Sequence, residues 1–92
     1  MSRNQLRSPY SREDRVLVRV ALGHSVRIMR AKAGLSMRAL GRKASISISH
    51  LSDVERGKSE VSSEILEAIA KASNSSTEEI VAFALDTMNQ SK

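Results

Sequence analysis

Apolar residues along most of this chain recur every three or four positions, the spacing of helices rather than of strands. The first such stretch passes through Val16, Val20, Gly23, Val26, Met29 and Ala33, which predicts the inward stripe of one long helix. Ser11 is its expected N-cap, with Glu13 and Asp14 in the first turn, where negative charge suits the positive end of the helix dipole. Gly34 is its expected C-terminal stop. Gly23, in mid-helix, is compatible either with a bend or with close packing. Residues 1–10, MSRNQLRSPY, show no periodicity and hold the single proline, so a flexible basic arm is expected there.

Four shorter helices follow. Ser36 is the expected cap of a helix through Lys43 that turns Ala39 and Leu40 inward, and residues 44–47 make a tight connection. Ser47 is the expected cap of a third helix ending at Gly57, and a fourth runs from Ser62 to about Ser73 with Ile65, Leu66, Ile69 and Ala70 buried. Asn74 and Ser75 break it. Ser76 with Glu79 three residues later has the form of a capping box for a fifth helix, TEEIVAFALDTMNQ, in which Ile80, Ala84 and Leu85 are expected to face the core. Val81, Phe83 and Met88 then remain as the candidate surface for a second copy. Five helices with connections of three to six residues describe an all-α domain.

Composition narrows the function. Ninety-two residues make one domain, expected over 11–92, with too little volume for a deep substrate cleft. Cysteine is absent, so neither disulfides nor thiolate metal sites are expected, and His24 has no ligand-spaced partner. No apolar run approaches the roughly 20 residues of a membrane span and no signal-peptide pattern opens the chain. A cytoplasmic protein without membrane contact, metal or cofactor is expected. Charge is unevenly placed: residues 1–58 carry 13 basic and 4 acidic residues, whereas residues 59–92 carry 2 basic and 6 acidic ones. One basic end on an acidic body suits a polyanionic partner.

The stretch SISHLSDVERG, residues 47–57, holds Ser49, His50 and Asp53, the three side-chain types of a hydrolase triad. On a helix, however, Ser49 and His50 point about 100° apart, and no oxyanion-hole turn accompanies them. An enzyme is not expected. The second and third helices, each about two turns long and joined by about four residues, instead have the dimensions of a helix-turn-helix. In that motif the first helix crosses the DNA backbone and the second enters the major groove. Leu40, Ala44, Ile46, Leu51 and Val54 fit the packed side of such a pair, which leaves Ile48, Ser49, Ser52 and Asp53 facing outward.

Residues 34–66, GLSMRALGRKASISISHLSDVERGKSEVSSEIL, resemble the phage-repressor-type helix-turn-helix, also called the xenobiotic-response-element (XRE) family. The pieces that match are Leu35-Ser36, Leu40, Ile46-Ser47, Leu51-Ser52, Val54 to Lys58 and Ser62, within a likeness extending from about Leu22 to Val81. The resemblance implies a compact five-helix, lambda-repressor-like fold whose third helix reads double-stranded DNA. It places Ile48, Ser49 and Asp53 where the family contacts bases, with Ser52 beside them. It places Ser36, Met37, Arg38, Lys43, Ser47, His50 and Lys58 near phosphates, and Arg30 and Glu55 on a partly buried ion pair tying the first helix to the third. A narrower similarity, carried by SHLSDVERGKSEVSSEIL and the upstream VALGHSVRIMRAKAG, is to the ClgR-type activators of Clp protease genes.

Some positions depart from these patterns. Met37 replaces a glutamine that often binds phosphate or base, Ser45 a turn glycine and Val61 a frequent proline. Relative to the ClgR type, His50 replaces an aromatic and the chain ends in polar NQSK. The expectation is a sequence-specific double-stranded DNA-binding regulator working as a homodimer, with RNA polymerase as a further partner if it activates transcription. An antitoxin-type autorepressor and a protein-docking helix-turn-helix module are the alternatives. The basic charge of residues 1–58 favours DNA.

Overall fold

The computed structural model describes residues 12–90, with side chains from Leu17 onward; the expected arm over residues 1–10 and the Ser11 cap lie outside this range. The described residues form five helices and no strand: α1 (Arg12–Lys32), α2 (Met37–Ala44), α3 (Ile48–Glu55), α4 (Ser63–Ala72) and α5 (Thr77–Gln90). The starts of α2, α3, α4 and α5 are set by one repeated local device. The hydroxyls of Ser36, Ser47, Ser62 and Ser76 each accept a hydrogen bond from the backbone N–H three residues on, at 3.0, 3.1, 3.2 and 3.1 Å. Each thereby satisfies a donor that the helix itself leaves without a partner. Left-handed residues close the helices, with Gly34 at φ 72° after α1 and Gly57 at φ 72° after α3.

α1 packs along α5 and crosses α3, while α2 lies against α3 and α4. The core joins Val26 and Met29 of α1, Leu40 of α2, Ile46 of the connecting turn, Leu51 and Val54 of α3, Leu66, Ile69 and Ala70 of α4, and Ile80 of α5. The buried Ser25 hydroxyl donates to the Ile80 carbonyl at 2.7 Å, stitching α1 to α5. Val61 and Met37 rest half-buried on the edge of the cluster.

Two expected faces are corrected. On α1 the buried positions are Ala21, Gly23, Ser25, Val26 and Met29, whereas Val20 is 48% exposed and Ala33 lies exposed beyond the helix end. α1 meets the core mainly along its C-terminal half, and at Val20 both the backbone and one side-chain methyl rest against Gly57. A Cβ on Gly57 would stand 2.9 Å from the Val20 Cα. On α5, Leu85 is 55% exposed rather than inward. It lies about 140° around the helix from Ile80, so both cannot face the same core. Phe83 turns inward instead, half-buried against the cluster with its ring 6.0 Å from that of His24. Val81 and Met88 are also half-buried, which leaves Leu85 as the large apolar side chain of α5 that is exposed.

Candidate nucleic-acid interface

Ser45, Ile46 and Ser47 connect α2 to α3. Ser45 takes the left-handed conformation, φ 58° and ψ 44°, and the Ile46 N–H returns to the Gly41 carbonyl at 2.8 Å. The turn folds so tightly onto α2 that a Cβ on Gly41 would lie 2.7 Å from the Ile46 carbonyl oxygen. Ile46 is buried, and it pins the turn to the core.

α3 is then held from behind. Leu51 and Val54 are fully buried, and the Val54 carbonyl meets α1 at Gly23, where a Cβ would stand 2.3 Å from that oxygen. Gly23 thus permits close approach of two helices. Arg30 adds a polar clamp: its Nε donates to Glu55 Oε2 at 2.7 Å, one terminal nitrogen to Glu55 Oε1 at 3.1 Å, and the other to the Leu35 carbonyl at 3.0 Å. One side chain therefore ties α1, the turn before α2, and α3 together. The Glu55 side chain is only 4% exposed, so its charge depends on this partner. The Arg30 pKa is raised above its ordinary value, chiefly by the hydrogen bond to Glu55, with desolvation opposing and the Glu55 charge adding. A raised folded-state value contributes stability below the ordinary arginine range and loses it only above that range, so Arg30 stays charged at neutral pH.

The opposite side of α3 faces outward. Ile48 is 42% exposed, Ser49 is exposed, and Ser52 and Asp53 are half-buried beside them. Ser36, Ser47, Arg38, Lys43 and Lys58 are exposed around this face, while His50 is half-buried. The Met37 side chain packs on the core, which leaves its backbone for a contact near phosphate. Two exposed cations lie outside the expected contact set: Arg42 on α2 and Arg56, which caps the C-terminal end of α3. Helical periodicity carries the signal for Arg56, which stands one turn beyond Ser52.

Asp53 pairs with Arg56 at 3.3 Å. No hydrogen bond joins Ser49, His50 and Asp53 among the described residues, and no three potential metal ligands come together there. No described helix is long and apolar enough to cross a membrane. The surface is a short, rigidly backed helix with small and polar side chains on its face, flanked by cations. Two eight-residue helices, α2 and α3, begin there at the exposed caps Ser36 and Ser47.

A family model described as a helix-turn-helix domain matches residues 21–83, more than half of the chain. This chain belongs to the helix-turn-helix domain family. Within it the chain is of the XRE type and ClgR-like. A relative named transcriptional regulator ClgR, from Mycobacterium tuberculosis, is 41% identical over 56 residues, which are 61% of this chain and half the length of that relative. The crystal structure of the clp gene regulator ClgR from C. glutamicum superposes with a TM-score of 0.75 at 37% identity, covering 77% of this chain and 92% of that one. The restriction-modification controller protein C.AhdI from Aeromonas hydrophila gives a TM-score of 0.64 at 30% identity, over 66% of this helix-turn-helix chain and 92% of its own.

Proposed function

We propose that this chain is a sequence-specific, double-stranded DNA-binding transcriptional regulator that acts as a homodimer, with α3 in the major groove. One observation carries the reading. α3 is locked to the core through Leu51, Val54 and Glu55 while Ile48, Ser49, Ser52 and Asp53 face outward among Arg38, Arg42, Lys43 and Lys58. Ile48 suits a thymine methyl group and the Ser49 and Ser52 hydroxyls suit either partner of a base pair. Phosphates are met by Arg38, Lys43 and Lys58, by the half-buried His50, and by the capped starts of α2 and α3 at Ser36 and Ser47. A single domain of this size makes few base contacts, and a two-fold dimer doubles them over half-sites about one turn apart. The dimer uses the apolar surface of α5 around Leu85, with Val81 and Met88 beside it. Similarity to proteins named as ClgR and as a clp gene regulator supports a regulatory role at genes of that kind, and activation of protease genes with RNA polymerase as the further partner is the form proposed for it.

Selection of bound duplexes from a random pool tests this. The expected result is a two-fold symmetric motif whose preference at one or more base pairs relaxes when Ile48 is changed to alanine, with log affinity falling linearly against log salt. Salt-independent binding, or no enriched sequence, refutes it.

A further inference from the structure

We propose that Arg56, positioned by Asp53, reads a guanine in each half-site; the inference rests on the DNA-binding role of α3 argued above. The two residues stand at the C-terminal end of α3, where an Arg56 terminal nitrogen donates to Asp53 Oδ1 at 3.3 Å. Their side chains are 58% and 41% exposed. At about 100° per residue, Arg56 falls within about 20° of Ser49 and one turn beyond Ser52. All three lie behind the buried face formed by Leu51 and Val54. Arg56 is therefore central on the outward strip of α3.

Distance along the helix is the obstacle, because the helix end lies further from a groove floor than its first turn does. Two features offset it. Side chains on a helix lean toward its N-terminus, and the bond to Asp53 draws the guanidinium the same way, toward Ser49 and Ser52. A guanidinium carries five N–H donors in a planar fork. One is engaged by Asp53 in the structure, leaving an edge that matches the O6 and N7 acceptors of guanine. Holding the fork in place beforehand lowers the ordering entropy that binding must otherwise supply.

Charge points the same way. Paired with Asp53, Arg56 contributes little net attraction to the phosphate backbone, unlike Lys43 or Lys58, for which no ion pair appears among the described residues. The use of a neutral pair on this face is selection. Asp53 is then a positioning residue, with its carboxylate engaged by Arg56 rather than free for a cytosine amino group.

The test compares the full chain with Arg56→Ala, Arg56→Lys, Asp53→Ala and the double Arg56→Ala/Asp53→Ala variant. Affinities are measured for the selected duplex and for duplexes substituted at each position in turn. Arg56→Ala is expected to lose roughly 5- to 150-fold of guanine preference at one position per half-site, the range for a bidentate contact. Asp53→Ala is expected to weaken preference at that same position, and the double variant to be no worse there than Arg56→Ala alone. Arg56→Lys keeps the charge but not the fork, and is expected to behave like Arg56→Ala in selectivity. A loss shared equally by every duplex makes Arg56 a phosphate contact and overturns the proposal. So does relaxation at two different positions with additive losses, which makes the two residues independent readers. A selected motif left unchanged by Arg56→Ala overturns this inference alone, whereas a wild-type chain that prefers no duplex overturns the DNA-binding reading on which it stands.

Discussion

Replacing Gly23 with alanine adds a single methyl group, yet it tests how the reading helix is held. In an isolated helix the change is favourable by about 1 kcal/mol, because glycine is a poor helix former. In this fold the new Cβ would stand 2.3 Å from the Val54 carbonyl oxygen and 2.8 Å from that of Glu55. Ordinary carbon–oxygen contacts lie at about 3.3–3.6 Å, so α1 and α3 must separate by about 1 Å. Both obstacles are backbone atoms and cannot turn aside as a side chain can. A separation of that size loosens the core cluster to which Val26 and Val54 both belong and stretches the 2.7 Å bond from Arg30 to Glu55 beyond hydrogen-bond range. Overpacking of well-packed cores costs about 1–3 kcal/mol, and strain on a buried ion pair adds to it. Net of the propensity gain, a loss of about 2–3 kcal/mol is expected. For a domain of this size that lowers Tm by roughly 10–20 °C. Circular dichroism melts of wild type and Gly23→Ala at matched protein concentration read it directly. A variant as stable as wild type, or more stable, would refute the close approach of α1 and α3 at this position.

Three further changes test other parts of the argument. Ser45→Gly relieves a left-handed serine at φ 58° and, after the entropy that glycine adds to the unfolded chain, should stabilise by about 0.5–1 kcal/mol; a urea midpoint that falls would contradict this. Arg30→Met leaves the Glu55 carboxylate, 4% exposed, without its partner, and should cost about 3–5 kcal/mol in urea unfolding, with a loss below about 1 kcal/mol showing that the pair does not hold α3. Leu85→Glu alters a side chain that is 55% exposed, so the melting curve of the folded monomer should change little while sedimentation shifts toward the monomer; an unchanged dimer would move the interface off α5.

Much of this fold is written locally. Ser36, Ser47, Ser62 and Ser76 each bond a backbone N–H only three residues away, and Gly34 and Gly57 each close a helix through their own backbone freedom. Such signals are complete within one turn of chain, which is why the helix boundaries and the outward placement of Ile48 and Ser49 can be inferred without any partner element. The family resemblance brought Arg30 and Glu55 together across 25 residues for the same reason that Leu51 and Val54 read as inward: both follow a recurring pattern in sequence.

Which side of a helix meets the core is a different kind of question, because it depends on elements far away in sequence. The period of α1 suits Val20 as well as Ala21 for burial, and contact with α3 and α5 selects Ala21 and Ser25. α5 offers Leu85 and Phe83 as alternatives of similar hydrophobicity, and the crossing with α1 takes Phe83 inward beside His24. The role of Gly23 lies in the 2.3 Å available between a new methyl and the Val54 carbonyl, a distance that belongs to the packing of two helices and to neither alone. Local hydrogen bonding and backbone freedom thus determined where α2, α3, α4 and α5 begin and where α1 and α3 end, whereas only tertiary contact, which removes some apolar faces from water and leaves others in it, decided what each helix shows to the outside.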